Sequence, residues 1–115
     1  MQALVIQDHQ GNNLDPISFK QGDHITILRY STMDDGWLNW VDCQFNQQTG
    51  WVPIQYLTIT NDQAIAKQDY DAKELTVNTG QIITITTAIN GWTWGITQDQ
   101  QGWIPDEKIR PISQP

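Results

Sequence analysis

In "HITIL" (24–28) and "IITIT" (82–86) an isoleucine core position recurs at every second residue, Ile25 and Ile27 in one, Ile83 and Ile85 in the other, with threonine between. A side-chain period of two sends one set inward and the other to solvent, so both stretches predict half-buried β-strands. Gly22 and Gly80 stand just ahead of them and predict tight turns. The correspondence extends along the chain. "ALVIQDHQ" (3–10) lies over "AIAKQDYD" (64–71), and "DPISFKQGDHITIL" (15–28) over "KELTVNTGQIITIT" (73–86). "GWLNWVDCQFNQQTGWVPIQYL" (36–57) and "GWTWGITQDQQGWIPDEKI" (91–109) then share their order of Gly, Trp and Pro.

Each half therefore runs through an alternating strand, an acidic loop, a short apolar strand, a Gly turn, an alternating strand, a Gly-Trp strand, a polar hairpin and Gly-Trp-apolar-Pro. The polar stretches "FNQQTG" and "TQDQQG" predict hairpin connections. "TNDQ" (60–63) contains no apolar residue and reads as a linker, giving two units at 1–59 and 63–115. Units of about 55 residues bury only about 60% of their unfolded surface and are marginal alone. Ile, Thr and Gln are abundant and no long run of helix formers occurs, so the fold class is all-β.

The formal charge is −7, with six Lys and Arg in total. That leaves no basic stripe for phosphates or an anionic bilayer, which argues against nucleic-acid and membrane partners. No apolar run approaches the ~20 residues of a membrane span, and the N-terminal stretch carries no basic residue, so a soluble cytoplasmic protein is expected. Cys43 is the single cysteine, excluding an internal disulfide and a paired-thiol metal site. His9 and His24 are too few for a zinc site, and no motif for an enzyme or a cofactor is present.

The ordered motifs resemble Src homology 3 (SH3) domains, found twice: "VIQDH", "PISFKQGDHITI", "DDGWLNW" and "GWVPIQYL", then "AKQDYDA", "ELTVNTGQIITI", "NGWTWG" and "GWIPDEKI". The resemblance covers nearly the whole chain, which looks like the small bacterial proteins made only of two such units. It implies two five-stranded β-barrels in tandem and binding of a protein or extended peptide, basic and proline-containing ligands being among the candidates. A polyproline helix is cheap to order and presents ridges that fit between aromatic rings. Carried over, the first half would supply His9 in place of a tyrosine, Trp37, Pro53 and Tyr56, with Asp15, Asp34 and Asp35 as acids facing a basic ligand residue. The second would supply Tyr70, Trp92 and Pro105, with Asp71 and Glu74 as acids and Lys108 opposite Tyr56. Gln7 and Gln68 stand where a further tyrosine belongs. Each half is thus short of aromatics, the first half being the stronger site because Lys108 removes a flat ring. Trp51 and Trp103 are expected to pack inside. The alternative is a structural or regulatory subunit whose grooves are vestigial.

Overall fold

The computed structural model describes residues 1–11 and 15–112. Among these residues lie twelve strands and three single-turn 3-10 segments. The strands are β1 (Gln2–Val5), β2 (Ser18–Phe19), β3 (His24–Tyr30), β4 (Trp40–Phe45), β5 (Gln48–Pro53), β6 (Leu57–Thr60), β7 (Gln63–Ala66), β8 (Tyr70–Asp71), β9 (Ile82–Ile89), β10 (Trp92–Ile96), β11 (Gln101–Pro105) and β12 (Ile109–Ile112). The all-β class and the doubled five-strand pattern are as the sequence predicts: two five-stranded antiparallel sheets, ordered β5-β4-β3-β7-β6 and β11-β10-β9-β1-β12. No helix among the described residues is long and apolar enough to cross a membrane.

These orders show that the repeats exchange their first strands. The strand β1, from the first repeat, pairs with β12 and β9 of the second, through Val5 opposite Ile109 and Ala3 opposite Ile83. Conversely β7, from the second repeat, pairs with β6 and β3 of the first, through Ala66 opposite Leu57 and Ala64 opposite Ile25. The compact units are accordingly Leu14–Ala72, and Met1–Asn13 with Lys73–Pro115.

The cause lies in the segment read as a linker. Thr60 faces Gln63 across the ladder, so Asn61 and Asp62 alone form the turn of a β6–β7 hairpin. Asn61 takes the left-handed conformation, φ 56°, that such a turn demands and that Asn tolerates. A two-residue turn returns the chain antiparallel to the strand just completed. The second repeat's first strand thereby fills the place beside β6, and β1 completes the other sheet.

Each unit has its own core. In one, Ala3, Val5, Leu75, Val77, Ile83, Ile104 and Ile109 form a buried cluster with Ile85 against it. In the other, Ile17, Ile25, Val41, Val52 and Cys43 are fully buried, and Phe19 stacks with Phe45 and Tyr70. The alternation read from the sequence thus places Ile25, Ile27 and Ile83 inside.

Candidate functional site

In the Leu14–Ala72 unit the exchange brings Tyr70 of the second repeat against Tyr56 of the first, ring centroids 5.6 Å apart and edge to face. The hydroxyl of Tyr70 donates to the Trp51 carbonyl at 2.9 Å. Tyr56 lies in the 3-10 turn Ile54–Tyr56 that follows Pro53, and burial raises its pKa while a hydrogen bond to Gln68 opposes the rise. Pro53 faces Trp40 across the β4–β5 ladder. This cluster is closed: Trp40, Tyr56 and Tyr70 expose only 7%, 7% and 6% of their surface.

The loop between β3 and β4, by contrast, is open. Trp37 is 37% exposed, and Tyr30, Met33 and Leu38 are also exposed. Large apolar side chains gathered on one loop are unusual at a protein surface and mark contact sites. Three devices fix the loop. Asp35 closes the turn Met33–Asp35 by accepting from the Thr32 backbone N–H at 2.7 Å, and Gly36 ends the turn in the left-handed region, φ 79°. Arg29 holds both Asp35 oxygens at 3.1 Å and lies over the Trp51 ring, 4.7 Å from its centre. The Asn39 carbonyl accepts from Ile54 N–H at 3.0 Å, stitching the loop to the turn that carries Tyr56. The guanidinium beside Asp35 and the Thr32 amide hold that carboxyl down at about 2.

The other unit assembles a chemically different cluster. His9 meets Trp92 edge to face at 6.0 Å, and Trp92 pairs with Pro105 in the β10–β11 ladder. Lys108 Nζ lies 2.9 Å from His9 Nδ1, and His9 Nε2 lies 2.7 Å from Glu74 Oε1. An ammonium can only donate, so Nδ1 accepts and the ring proton sits on Nε2, directed at the carboxylate. Here too the backbone is stitched, Asp106 N–H donating to the Gly91 carbonyl at 2.9 Å.

The residues anticipated from sequence are therefore redistributed. Asp15, Asp34, Asp35, Trp37, Pro53, Tyr56 and Tyr70 share one unit; His9, Glu74, Trp92 and Pro105 share the other. His9 does not sit with Trp37, nor Tyr70 with Trp92. Three of the acids expected to face a ligand are engaged internally: Asp15 accepts from Gln48 at 2.7 Å, Asp35 is held by Arg29, and Glu74 by His9. Asp34 is exposed. The counterpart of Trp92 is Trp40, since each faces the equivalent proline. The shared Gly-Trp dipeptide misaligns the halves because Gly36-Trp37 belongs to the loop, three residues before its strand begins. Trp103 is buried on Trp94, ring centres 5.3 Å apart, whereas Trp51 is only half-buried, under Arg29. Sequence reasoning missed Arg29 and Trp40. The signals available were an isolated cation in an acidic half, and the equal spacing from Trp40 to Pro53 and from Trp92 to Pro105.

Comparison with known families agrees with this geometry. The model of the family described as variant SH3 domain matches twice, over residues 3–60 and 64–112. No curated protein matches the chain. The matched segments follow the repeats in sequence, while each compact unit takes its first strand from the other repeat.

Proposed function

Because the chain belongs to the SH3 family, whose domains generally bind proteins or peptides, we propose that it is a non-enzymatic binding protein whose contact surface lies on the Leu14–Ala72 unit, with Trp37 as its anchor. The observation that carries this reading is the exposure of Trp37, beside Met33 and Leu38, on a loop held by Arg29, Asp35 and Asn39. A loop already ordered loses little conformational freedom on binding, so more of the gain from desolvating the indole appears as affinity. The Asn39–Ile54 hydrogen bond ties this loop to the turn that carries Tyr56.

Charge narrows the partner. Leu14–Ala72 holds eight carboxylates and three Lys or Arg, so −5 of the chain's −7 resides in this unit. A partner combining a large apolar residue with basic ones fits, and its attraction weakens with added salt. The test is selection of peptides from a displayed random library on the immobilised chain, followed by titration calorimetry with Trp37→Ala. Enrichment of basic, apolar-anchored peptides that lose affinity for the variant supports the proposal; peptides indifferent to Trp37 contradict it.

The burial of Trp40, Tyr56 and Tyr70 favours a second reading, a structural subunit in which the groove of the family is vestigial. Under that reading the library yields no enriched sequence at all.

A further inference from the structure

The two-residue turn at Asn61-Asp62 explains why the repeats exchange strands, but the side chains on the exchanged arms carry a second, independent record of the same pairing. Four pairs of equivalent positions show it: Val5 with Ala66, His9 with Tyr70, Phe19 with Val77 and Tyr56 with Lys108. In the structure the smaller Ala66 is buried in the unit that holds Phe19, and the larger Val5 in the cluster that holds Val77. Unexchanged repeats would set Val5 with Phe19, overfilling one core, and Ala66 with Val77, leaving a void in the other. Polar complementarity runs the same way. Lys108 finds an imidazole acceptor in His9, and Glu74 finds that ring's other nitrogen. Tyr56 finds the Tyr70 ring and Gln68. Unexchanged, Lys108 would face Tyr70 and Glu74 would lose its imidazole. By contrast, Asp8 accepting from Thr79 N–H and Asp69 accepting from Gln21 N–H are equivalent bonds that either pairing would preserve. The differences between the repeats therefore fall where they discriminate.

We propose that the exchange is encoded in the side chains of the arms as well as in the turn, and that it makes Gln68 and Tyr70, from the second repeat, positioning residues for the binding surface of the first. The arm Gln63–Ala72 supplies the hydrogen bond and the ring that hold Tyr56, and the Tyr56 turn is bonded to the loop of Trp37 through Asn39. Neither repeat alone contains both halves of this arrangement. The second clause of the proposal rests on the binding reading above; the first does not.

Cysteine pairs test the first clause without any ligand. Gln2 faces Ile112 in the exchanged ladder, and in unexchanged repeats it would take the place of Gln63 opposite Thr60. Directly opposed antiparallel residues lie within disulfide range. In a Cys43→Ser background, Gln2→Cys with Ile112→Cys should oxidise to an intrachain cross-link, and Gln2→Cys with Thr60→Cys should not. The same pairs are then placed in a chain with about eight Gly and Ser residues inserted between Asn61 and Asp62, which frees the arm to reach either place. Side-chain encoding keeps the 2–112 cross-link dominant there. A shift to 2–60 in the lengthened chain overturns side-chain encoding, and covalent dimers through 2–112 overturn intrachain exchange.

The second clause is read with a library-selected peptide, at a temperature where every variant is folded by circular dichroism. Gln68→Ala, at an exposed position, and Tyr70→Leu should each weaken binding several-fold, with Tyr70→Phe close to the parent. Unchanged affinity in both Gln68→Ala and Tyr70→Leu overturns the positioning role while leaving the cross-link result standing.

Discussion

Replacing Tyr70 should destabilise strands that belong to the other repeat. The side chain packs at 5.6 Å from both Phe19 and Tyr56, and its hydroxyl bonds the Trp51 carbonyl. Removing only the hydroxyl, as in Tyr70→Phe, costs about 1 kcal/mol, the net value of one such bond. Truncation to alanine forfeits the buried ring as well, about 3–5 kcal/mol, including two ring pairs of about 1 kcal/mol each. A unit of this size has roughly 3–5 kcal/mol in hand. Tyr70→Phe should therefore lower the melting point by about 4–8 °C, and Tyr70→Ala should bring the unit to the edge of unfolding. Amide hydrogen exchange locates the damage. Protection should fall in His24–Tyr30, Trp40–Phe45 and Gln48–Pro53, which share the unit with Tyr70, and hold better in Ile82–Ile89 and Trp92–Ile96. Loss concentrated in Ile82–Ile89 and Trp92–Ile96, the strands of Tyr70's own repeat, would refute the exchanged topology.

Three further outcomes follow from local chemistry. The Asp35 carboxyl sits at about 2 in the folded chain against 3.8 when unperturbed, so its bonds to Arg29 and Thr32 are fully present above pH ~4 and are lost as pH falls toward 2; Asp35→Asn should flatten the acid limb of a melting-point-against-pH curve. Burial, then the neighbouring Asp42 charge, pushes the Cys43 thiol up to about 12, so alkylation at neutral pH should be negligible until denaturant is added. Gly102→Ala would bring a methyl within 2.7–3.0 Å of backbone atoms of Lys73, Glu74 and Leu75, whereas Gly95→Ala crowds, at 2.9 Å, the movable methyl ends of Ile83 and Leu75 and meets backbone at an ordinary 3.9 Å, so the first should melt markedly lower.

Much of the fold was legible because its signals are local. Period-two alternation at Ile25, Ile27 and Ile83, the left-handed turns at Gly22 and Gly80, and the polar hairpins each depend on a few adjacent residues. Strand partnership is not local. The residues around Asn61-Asp62 carry two consistent meanings, a polar linker and a two-residue turn between alternating segments, Leu57 and Ile59 on one side and Ala64 and Ala66 on the other. Only the register decides, and it decides for the turn. The site inherited that ambiguity: the same residue types were expected, but His9 and Tyr70 trade places between units. Internal use of Asp15, Asp35 and Glu74 was equally invisible, because an acid in a loop looks the same in sequence whether it faces solvent or an arginine. Arg29 is six residues from Asp35, but Trp51, the other group it serves, comes close only once β3, β4 and β5 are paired, Arg29 facing Asp42 and Asp42 facing Trp51.

Whether Trp37 anchors a partner on the Leu14–Ala72 unit is decided by titration calorimetry of a library-selected peptide against the parent, Trp37→Ala and Trp92→Ala. Truncating an exposed anchor tryptophan should cost about 2 kcal/mol, close to thirtyfold in affinity. Trp92→Ala, in the unit where His9 and Lys108 stand in place of Tyr70 and Tyr56, should change affinity much less while both variants remain folded. A larger loss from Trp92→Ala than from Trp37→Ala would put the contact surface on the other unit and rule out Trp37 as the anchor.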